Sequence, residues 1–433
     1  MRALPVIVAT LLLLSAAVVG PVGGLPVDRG TSPQAVTEPS DAVAQTEGNR
    51  TPLQQINVLG VPSESVDRSS VDEQYVDLGS GVGLSADATT ERLRTLAMVE
   101  RIEAANTTDM RRARLQTALR DLEAAVDDLD QQQIRAIRAY NRGEHTEKEL
   151  LVSLVRIRNT ADELGERRSR LEQLAAETPR FEIDRGRLAS IGNRLSAFTG
   201  PVRAHAASVL RGEAGPHRFY LATGPQSVTL TTIVDDAYLR EAYRGDLRNG
   251  AGDPIELETA LDIVATSYPV IWNTTREQTQ VFGGGETYPV RIAHGRGDLT
   301  AFVDSNARVV YAEHQRRPLD TMVVDRRVER SNGDLHLTVN HTYPGGPVQA
   351  QVDTDSPSDV SISMTAGPGA ATPIGTTGDD GTLWTLSPNR QYTITAADGD
   401  RNVSAVVPVG TPPLVVAPER NASDSTPTPT PEG

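Results

Sequence analysis

Between Leu150 and Ala175 the positions Leu150, Leu154, Ile157, Ala161, Leu164, Arg168, Leu171 and Ala175 follow one another at strict 4, 3 spacing. Apolar groups every 3.5 residues form one seam along one side of a helix, and such a seam is stable only when buried against another. A partner precedes it: Leu115, Leu119, Leu122, Val126 and Leu129, resuming at Ile134, Ile137 and Tyr140 after a step that breaks the heptad. Asn141 and Gly143 supply a left-handed stop, and Thr146 to Glu149 reads T-E-K-E, a capping box. The chain is thereby committed to an antiparallel helical hairpin, coiled-coil-like and roughly 50 Å long at 1.5 Å per residue. Leu93, Leu96, Ala97 and Ile102 predict a further helix from Ala86 to Asn106, with Thr107 or Thr108 capping its successor. The hairpin can pack on that helix within one chain, with self-association through the hairpin as the alternative.

No cysteine occurs in 433 residues, which excludes disulfides, thiol nucleophiles and thiolate metal sites. The formal net charge is -15, aromatics make up 4%, and Lys148 is the only lysine among 42 Lys and Arg. An acidic surface almost without lysine suits a protein kept soluble in high salt, and predicts a halophilic archaeal source. At molar salt the Debye length falls to ~3 Å, so net charge steers partners weakly, and its sign argues against nucleic acid. The N-terminus carries Arg2, an apolar run over residues 4–19, then Gly20, Gly23 and Gly24, the order of a Sec-type secretory signal. That run is shorter than the ~20 residues a spanning helix needs. Membrane contact is therefore expected only through an uncleaved signal.

The expected organisation is a signal over 1–24, a mostly disordered linker with a docking segment (VLGVP, YVDLG) over 25–85, and the hairpin over 86–180. A mixed α+β domain over 181–317, a β-sandwich over 318–410 and a disordered Thr/Pro-rich tail over 411–433 complete it. The fold class is multidomain α+β, with the hairpin projecting from the mixed domain. Within that domain, SVTLTTIVDDAYLREAYR and DLTAFVDSNARVVYAEHQR share an order of strand, Val-Asp turn, strand and basic end, each preceded by a helix, and read as two copies of one unit. The second copy, with Val303-Asp304-Ser305-Asn306-Ala307-Arg308-Val309, resembles the PepSY module, which implies a non-catalytic role linked to peptidase inhibition. Gly346-Pro347-Val348, the turn over 377–381, Leu386 before Pro388, and Tyr392-Thr393-Ile394 resemble a carboxypeptidase-regulatory-like, transthyretin-type sandwich, which implies an accessory module without an active site. The whole combination is similar to haloarchaeal exported proteins of unknown function.

Chemistry-bearing patterns are sparse. His145, His205, His217, His294, His314, His336 and His341 include no i, i+4 pair with an intervening Glu, and no G-x-S-x-G elbow exists. Gly283 to Gly285 lacks the Lys and helix start of a phosphate cradle, and Asp353, Asp355 and Asp359 lack the spacing of a calcium loop. Arg-Gly-Asp at Arg244 and at Arg296 reads as turn chemistry. The expectation is no catalytic residue, no metal ligand, no cofactor, and candidate glycosylation at the sequons Asn49, Asn106, Asn273, Asn340, Asn402 and Asn421. The function expected is that of an exported, cell-surface-associated, non-catalytic binding or scaffold protein whose partner is an envelope protein, extracellular protein or glycan. A regulator of an exported protease, or a hydrolase with an unrecognised site, are the alternatives.

Overall fold

The computed structural model describes residues 55–62, 65–74, 78–248, 254–275, 278–281, 285–324 and 326–415. The signal, Asn49, Asn421, Gly283, Gly284 and the tail beyond residue 415 lie outside the described residues. Five helices come first: α1 (Leu78–Glu103), α2 (Thr108–Asn141), α3 (Glu147–Ala176), α4 (Arg185–Ser196) and α5 (Pro201–Leu210). Their ends follow local chemistry. The Thr107 hydroxyl accepts the Met110 N–H at 3.2 Å. At the capping box the Glu149 N–H donates to Thr146 Oγ1 (3.2 Å) while the Thr146 N–H donates to Glu149 Oε2 (2.7 Å). Gly143 takes φ 75° where the chain turns between α2 and α3.

The two seams meet as their spacing requires: Leu115, Leu122, Val126 and Ile137 of α2 and Leu150, Leu154, Leu164 and Leu171 of α3 are buried in one cluster. Helix α1 lies along α3 through Leu84 and Ile102, so the hairpin packs on it within one chain. α1 begins at Leu78, eight residues before Ala86, and Arg68–Gln74 is a strand. Those parts of the stretch read as linker are regular structure. The local cause is hard to see in sequence, since the first turn of α1 carries two glycines and the helix as a whole packs on α3 and α5.

The strands β1 (Arg68–Gln74), β2 (His217–Gly224), β3 (Ser227–Val234), β4 (Ala237–Arg244), β5 (Thr279–Val281), β6 (Thr287–His294), β7 (Gly297–Asp304) and β8 (Val309–Pro318) form one antiparallel sheet. Its order is β1-β2-β3-β4-β8-β7-β6-β5. Hairpins β3–β4 and β7–β8 thus meet along β4 and β8. Gly297, at φ 123°, opens β7 where a Cβ would overlap the Arg316 carbonyl of β8. Alternation sends Leu221, Leu230, Leu239 and Phe302 to one face, under α2 to α5. It sends Ala242, Val290, Ile292, Leu299 and Ala301 to the other, under α6 (Leu257–Ser267) and α7 (Pro269–Thr275). The hairpin does not project. It is one layer on the sheet, because α2 buries side chains toward β2 and β3 as well as toward α3.

After β8 come β9 (Arg326–Asn332), β10 (Leu335–His341), β11 (Pro347–Asp353), β12 (Ser361–Ala366), β13 (Thr372–Thr376), β14 (Thr382–Leu386), β15 (Tyr392–Asp398) and β16 (Arg401–Val407). They form two four-stranded sheets, β14-β11-β10-β9 and β13-β12-β15-β16, closed over Leu337, Val339, Val348, Ile362, Ile394 and Ala405. This sandwich docks on the sheet through Gly345, whose carbonyl accepts the hydroxyls of Thr231 (2.6 Å) and Tyr238 (3.0 Å). At φ 74°, with the Tyr220 ring against its Cα, position 345 admits only glycine. Residues 55–62 and 411–415 clasp each other beside it. The Val58 N–H donates to Pro413 (2.9 Å) and the Val415 N–H returns to Val58 (3.0 Å). VLGVP is therefore a strap on the sheet, and 411–415, read as the start of the tail, is its partner.

Candidate functional site

Strand β4 reads Ala-Tyr-Leu-Arg-Glu-Ala-Tyr-Arg, and it buries both Arg240 (2% exposed) and Glu241 (3%). Neighbours in a strand point to opposite faces, so the two charges need different partners. Under the helices, Glu241 lies 3.0 Å from Arg203 Nε and accepts the Arg203 backbone N–H at 2.8 Å. That N–H belongs to the first turn of α5, whose N-cap, Gly200, offers no side chain. A Cβ at Gly200 would overlap the Glu241 carboxyl. The helix is thus capped from the sheet, with the carboxylate at its positive end. Burial pushes the Glu241 carboxyl up, and the neighbouring Arg203 charge and N–H bonds pull it down.

On the other face Arg240 donates to Glu313 Oε1 (3.1 Å) and to the Leu59 carbonyl (2.7 Å). Glu313 Oε2 accepts the Tyr268 hydroxyl and the Leu59 N–H, both at 2.6 Å. One carboxylate therefore holds the sheet, the end of α6 and the strap. A third knot joins α2 to the sheet: Asp130 accepts Arg194 (3.0 Å) and the Tyr243 hydroxyl (3.0 Å), and pairs with Arg248, which stacks 4.8 Å from the Tyr311 ring centroid. The sequence reading passed over all three. For the first two the signal was a charged pair in the middle of β4, legible only as an anomaly.

No described group of three His, Asp or Glu is placed to hold a metal ion. Asp355 and Asp359 lie in the exposed loop after β11, and Asp353 ends that strand. The turn expectation for the Arg-Gly-Asp tripeptides holds in part: Arg244 ends β4 ahead of a 3-10 turn over 245–247 and pairs with its own Asp246 at 2.7 Å, while Arg296 ends a turn and Gly297 and Asp298 open β7. Ser331 and His336 meet at 2.6 Å, yet as an exposed cross-strand pair with no carboxylate on the imidazole among the described residues. His205 and His217 stack edge to face at 4.3 Å, and burial lowers His205 to about 4. Asn106 is exposed in the turn between α1 and α2, Asn273 on α7 and Asn402 on β16, while Asn340 is half-buried in β10 and donates to Gln349 at 2.9 Å.

His314 packs edge-on to Phe302 at 4.9 Å, and burial, with Arg203 adding to it, lowers it to about 3. The unfolded chain takes up this proton near pH 6.5 and the folded chain only near 3, so stability is full above 6.5 and is lost as pH falls between them. The expected slope from this one group is about 1.4 kcal/mol per pH unit. Urea midpoints of the wild type and of His314→Phe between pH 7 and 4 measure it. Parallel curves would show that His314 is not the group responsible.

Among the openings of the helical layer is a cleft of about 390 Å³ between α1 and α2. α3 packs closely along both helices, which touch each other much less. Ala97, Met98 and Ile102 line one wall, Ala113, Thr117 and Ala118 the other, with Arg94, Arg101, Arg114 and Arg167 around them. Next to it, the outward side of α1 leaves Leu93 62% and Leu96 63% exposed.

Residues 1–215 match a domain of unknown function (DUF7096), residues 219–323 a family of unknown function (DUF7094), and residues 326–405 an archaeal fibronectin-III type-like domain. No curated protein and no solved structure gives a match. The first border falls between the end of α5 and the start of β2, within two residues of the strand's first position, and the second in the connection from β8 to β9. The chain is of an archaeal kind of unknown function that carries a β-sandwich, and the sandwich matches the fibronectin-III-like type where transthyretin-type was expected.

Proposed function

We propose that this archaeal chain, with its helical layer, eight-stranded sheet and fibronectin-III-like sandwich, is an exported, cell-surface-associated, non-catalytic binding or scaffold protein of a halophile. The observation that carries the reading is the outward side of α1. Val82, Ala86, Thr89, Leu93 and Leu96 follow one another at 4, 3, 4, 3 spacing on the side away from α3, and Val82, Leu93 and Leu96 are each more than 60% exposed. An apolar seam at heptad spacing on an outer helix has the form of a contact surface for another protein. The signal-like N-terminus, the acidic lysine-poor composition and the exposed sequons at Asn106, Asn273 and Asn402 support the export route.

Deleting α2 and α3 to test partner binding would remove the core itself, so the test belongs on the seam. Leu93→Glu/Leu96→Glu is expected to leave stability within about 0.5 kcal/mol, as for exposed sites. In molar KCl it should lose the envelope partner that the wild type retains from a detergent extract of homologous cells. Retention of the same partner by the variant sinks the seam as its binding surface.

A second reading, regulation of an exported protease through PepSY-like hairpins, rests on the turn between β7 and β8. There Asp304 is 2% exposed and accepts the N–H groups of Asn306 (3.0 Å) and Ala307 (2.8 Å). Stoichiometric inhibition of haloarchaeal culture-medium protease by the purified protein would favour it over the scaffold reading.

A further inference from the structure

We propose that the groove between α1 and α2 receives one amphipathic helix with acidic flanks, supplied by a partner protein, and that this helix completes a four-helix bundle. The inference deepens the proposed function and rests on it. Helices α1, α2 and α3 form three sides of a bundle in which α3 is the shared neighbour. The lining residues run over 94–102 on α1 and 113–121 on α2, about two turns or ~12 Å on each wall. Along both walls they recur at 3, 4 intervals, so each helix turns one face to the groove.

Two properties select the occupant. Size is the first: Ala97, Ala113 and Ala118 are the small side chains that let a helix approach to the 8–10 Å of ordinary packing, and Met98 is a pliant floor. Charge is the second. Asp121 is the one acid among the lining residues, against four arginines, in a chain whose net charge is -15. Arg94 and Arg167 share the buried Glu91, Arg167 at 2.7 Å. Arg101 and Arg114 make no ion pair among the described residues, and Arg114 donates one N–H to the Arg101 carbonyl. The two guanidiniums stand on opposite walls near the same end of the groove, where carboxylates on the flanks of a docked helix would meet them.

Three 21-residue labelled peptides test this on the full-length protein by fluorescence anisotropy in 0.2–2 M KCl: a leucine-seamed helix with glutamate flanks, the same seam with lysine flanks, and a proline-broken glutamate version. The glutamate helix should bind at least tenfold more tightly than either of the others. Arg101→Glu/Arg114→Glu should reverse the preference between the glutamate and lysine helices, and Ala97→Phe/Ala113→Phe should abolish binding of both, with the circular dichroism of each variant unchanged. Equal binding of the two charged helices, or none, overturns the proposal. So does a sedimentation-detected dimer dissolved by Ala97→Phe/Ala113→Phe, which would give the groove to a second copy. Failure here with loss of the envelope partner in Leu93→Glu/Leu96→Glu removes the groove alone, whereas success here with that partner retained removes the seam alone.

Discussion

Arg203→Met lowers the unfolding free energy by about 3–5 kcal/mol, because it strands the Glu241 carboxylate in the core. The loss has two parts with one cause. Glu241 is 3% exposed between the sheet and α5, and among the described residues its oxygens meet the Arg203 guanidinium and N–H groups of the helix's first turn. Without the guanidinium, the helix end alone must hold the charge, and helix-end stabilisation is on the order of 1–2 kcal/mol at best. The paired change Arg203→Met/Glu241→Leu removes both charges and should recover a large part of the loss, since replacing a whole buried pair by packed apolar groups is often neutral. Urea unfolding in molar KCl, read by circular dichroism, separates the cases. A single-variant loss under 1 kcal/mol, or a double variant no better than the single, would show that the carboxylate is solvated or protonated.

The second large effect is at Glu313. Glu313→Ala leaves the Arg240 guanidinium buried and takes the acceptor from the Leu59 N–H and the Tyr268 hydroxyl together, again with an expected cost of about 3–5 kcal/mol. Its distinctive consequence is local. Residues 55–62 lie on the sheet through the buried side chains of Ile56, Val58, Leu59 and Val61 and through bonds to Arg240, Arg244, Glu313 and Gln315, of which the Leu59 N–H depends on Glu313 directly. Hydrogen exchange should therefore accelerate first at Leu59 and Val58, with 411–415 following because it is clasped to Val58. Uniform loss of protection across the sheet, with the strap no faster than β3, would show that the carboxylate supports the whole molecule and not this attachment.

The two adjacent charges of β4 illustrate how far local pattern reaches. Phe219 to Ala222, Val228 to Val234 and Leu299 to Val303 alternate or run apolar in a way that identifies strands without any knowledge of neighbours. The same pattern makes Arg240 and Glu241, in the middle of β4, look like solvated positions. Their partners stand far off, Arg203 38 residues before Glu241 and Glu313 73 after Arg240, and no short-range periodicity links residues so far apart. The groove was illegible for a similar reason. The spacing of Leu93, Leu96 and Ala97 predicts a helix, but periodicity says only that apolar groups share a side, not whether anything covers that side. Placing Leu93 and Leu96 in solvent and Ile102 in the core required α3 to choose one flank of α1.

Helix ends, turn positions and the paired seams of α2 and α3 were determined by the amino-acid sequence itself. Capping at Thr107 and Thr146, the left-handed Gly143 and the 3.5-residue period act within a few residues of where they are written. Tertiary structure alone decided that the hairpin lies flat under an eight-stranded sheet, that chain segments more than 350 residues apart clasp at Val58 and Leu414, and that the sandwich docks on Gly345. Those outcomes depend on burial, and burial is a property of which surfaces meet. A heptad seam requires a neighbour without naming it, so the choice of neighbour waits for the whole chain to compete for the same apolar area.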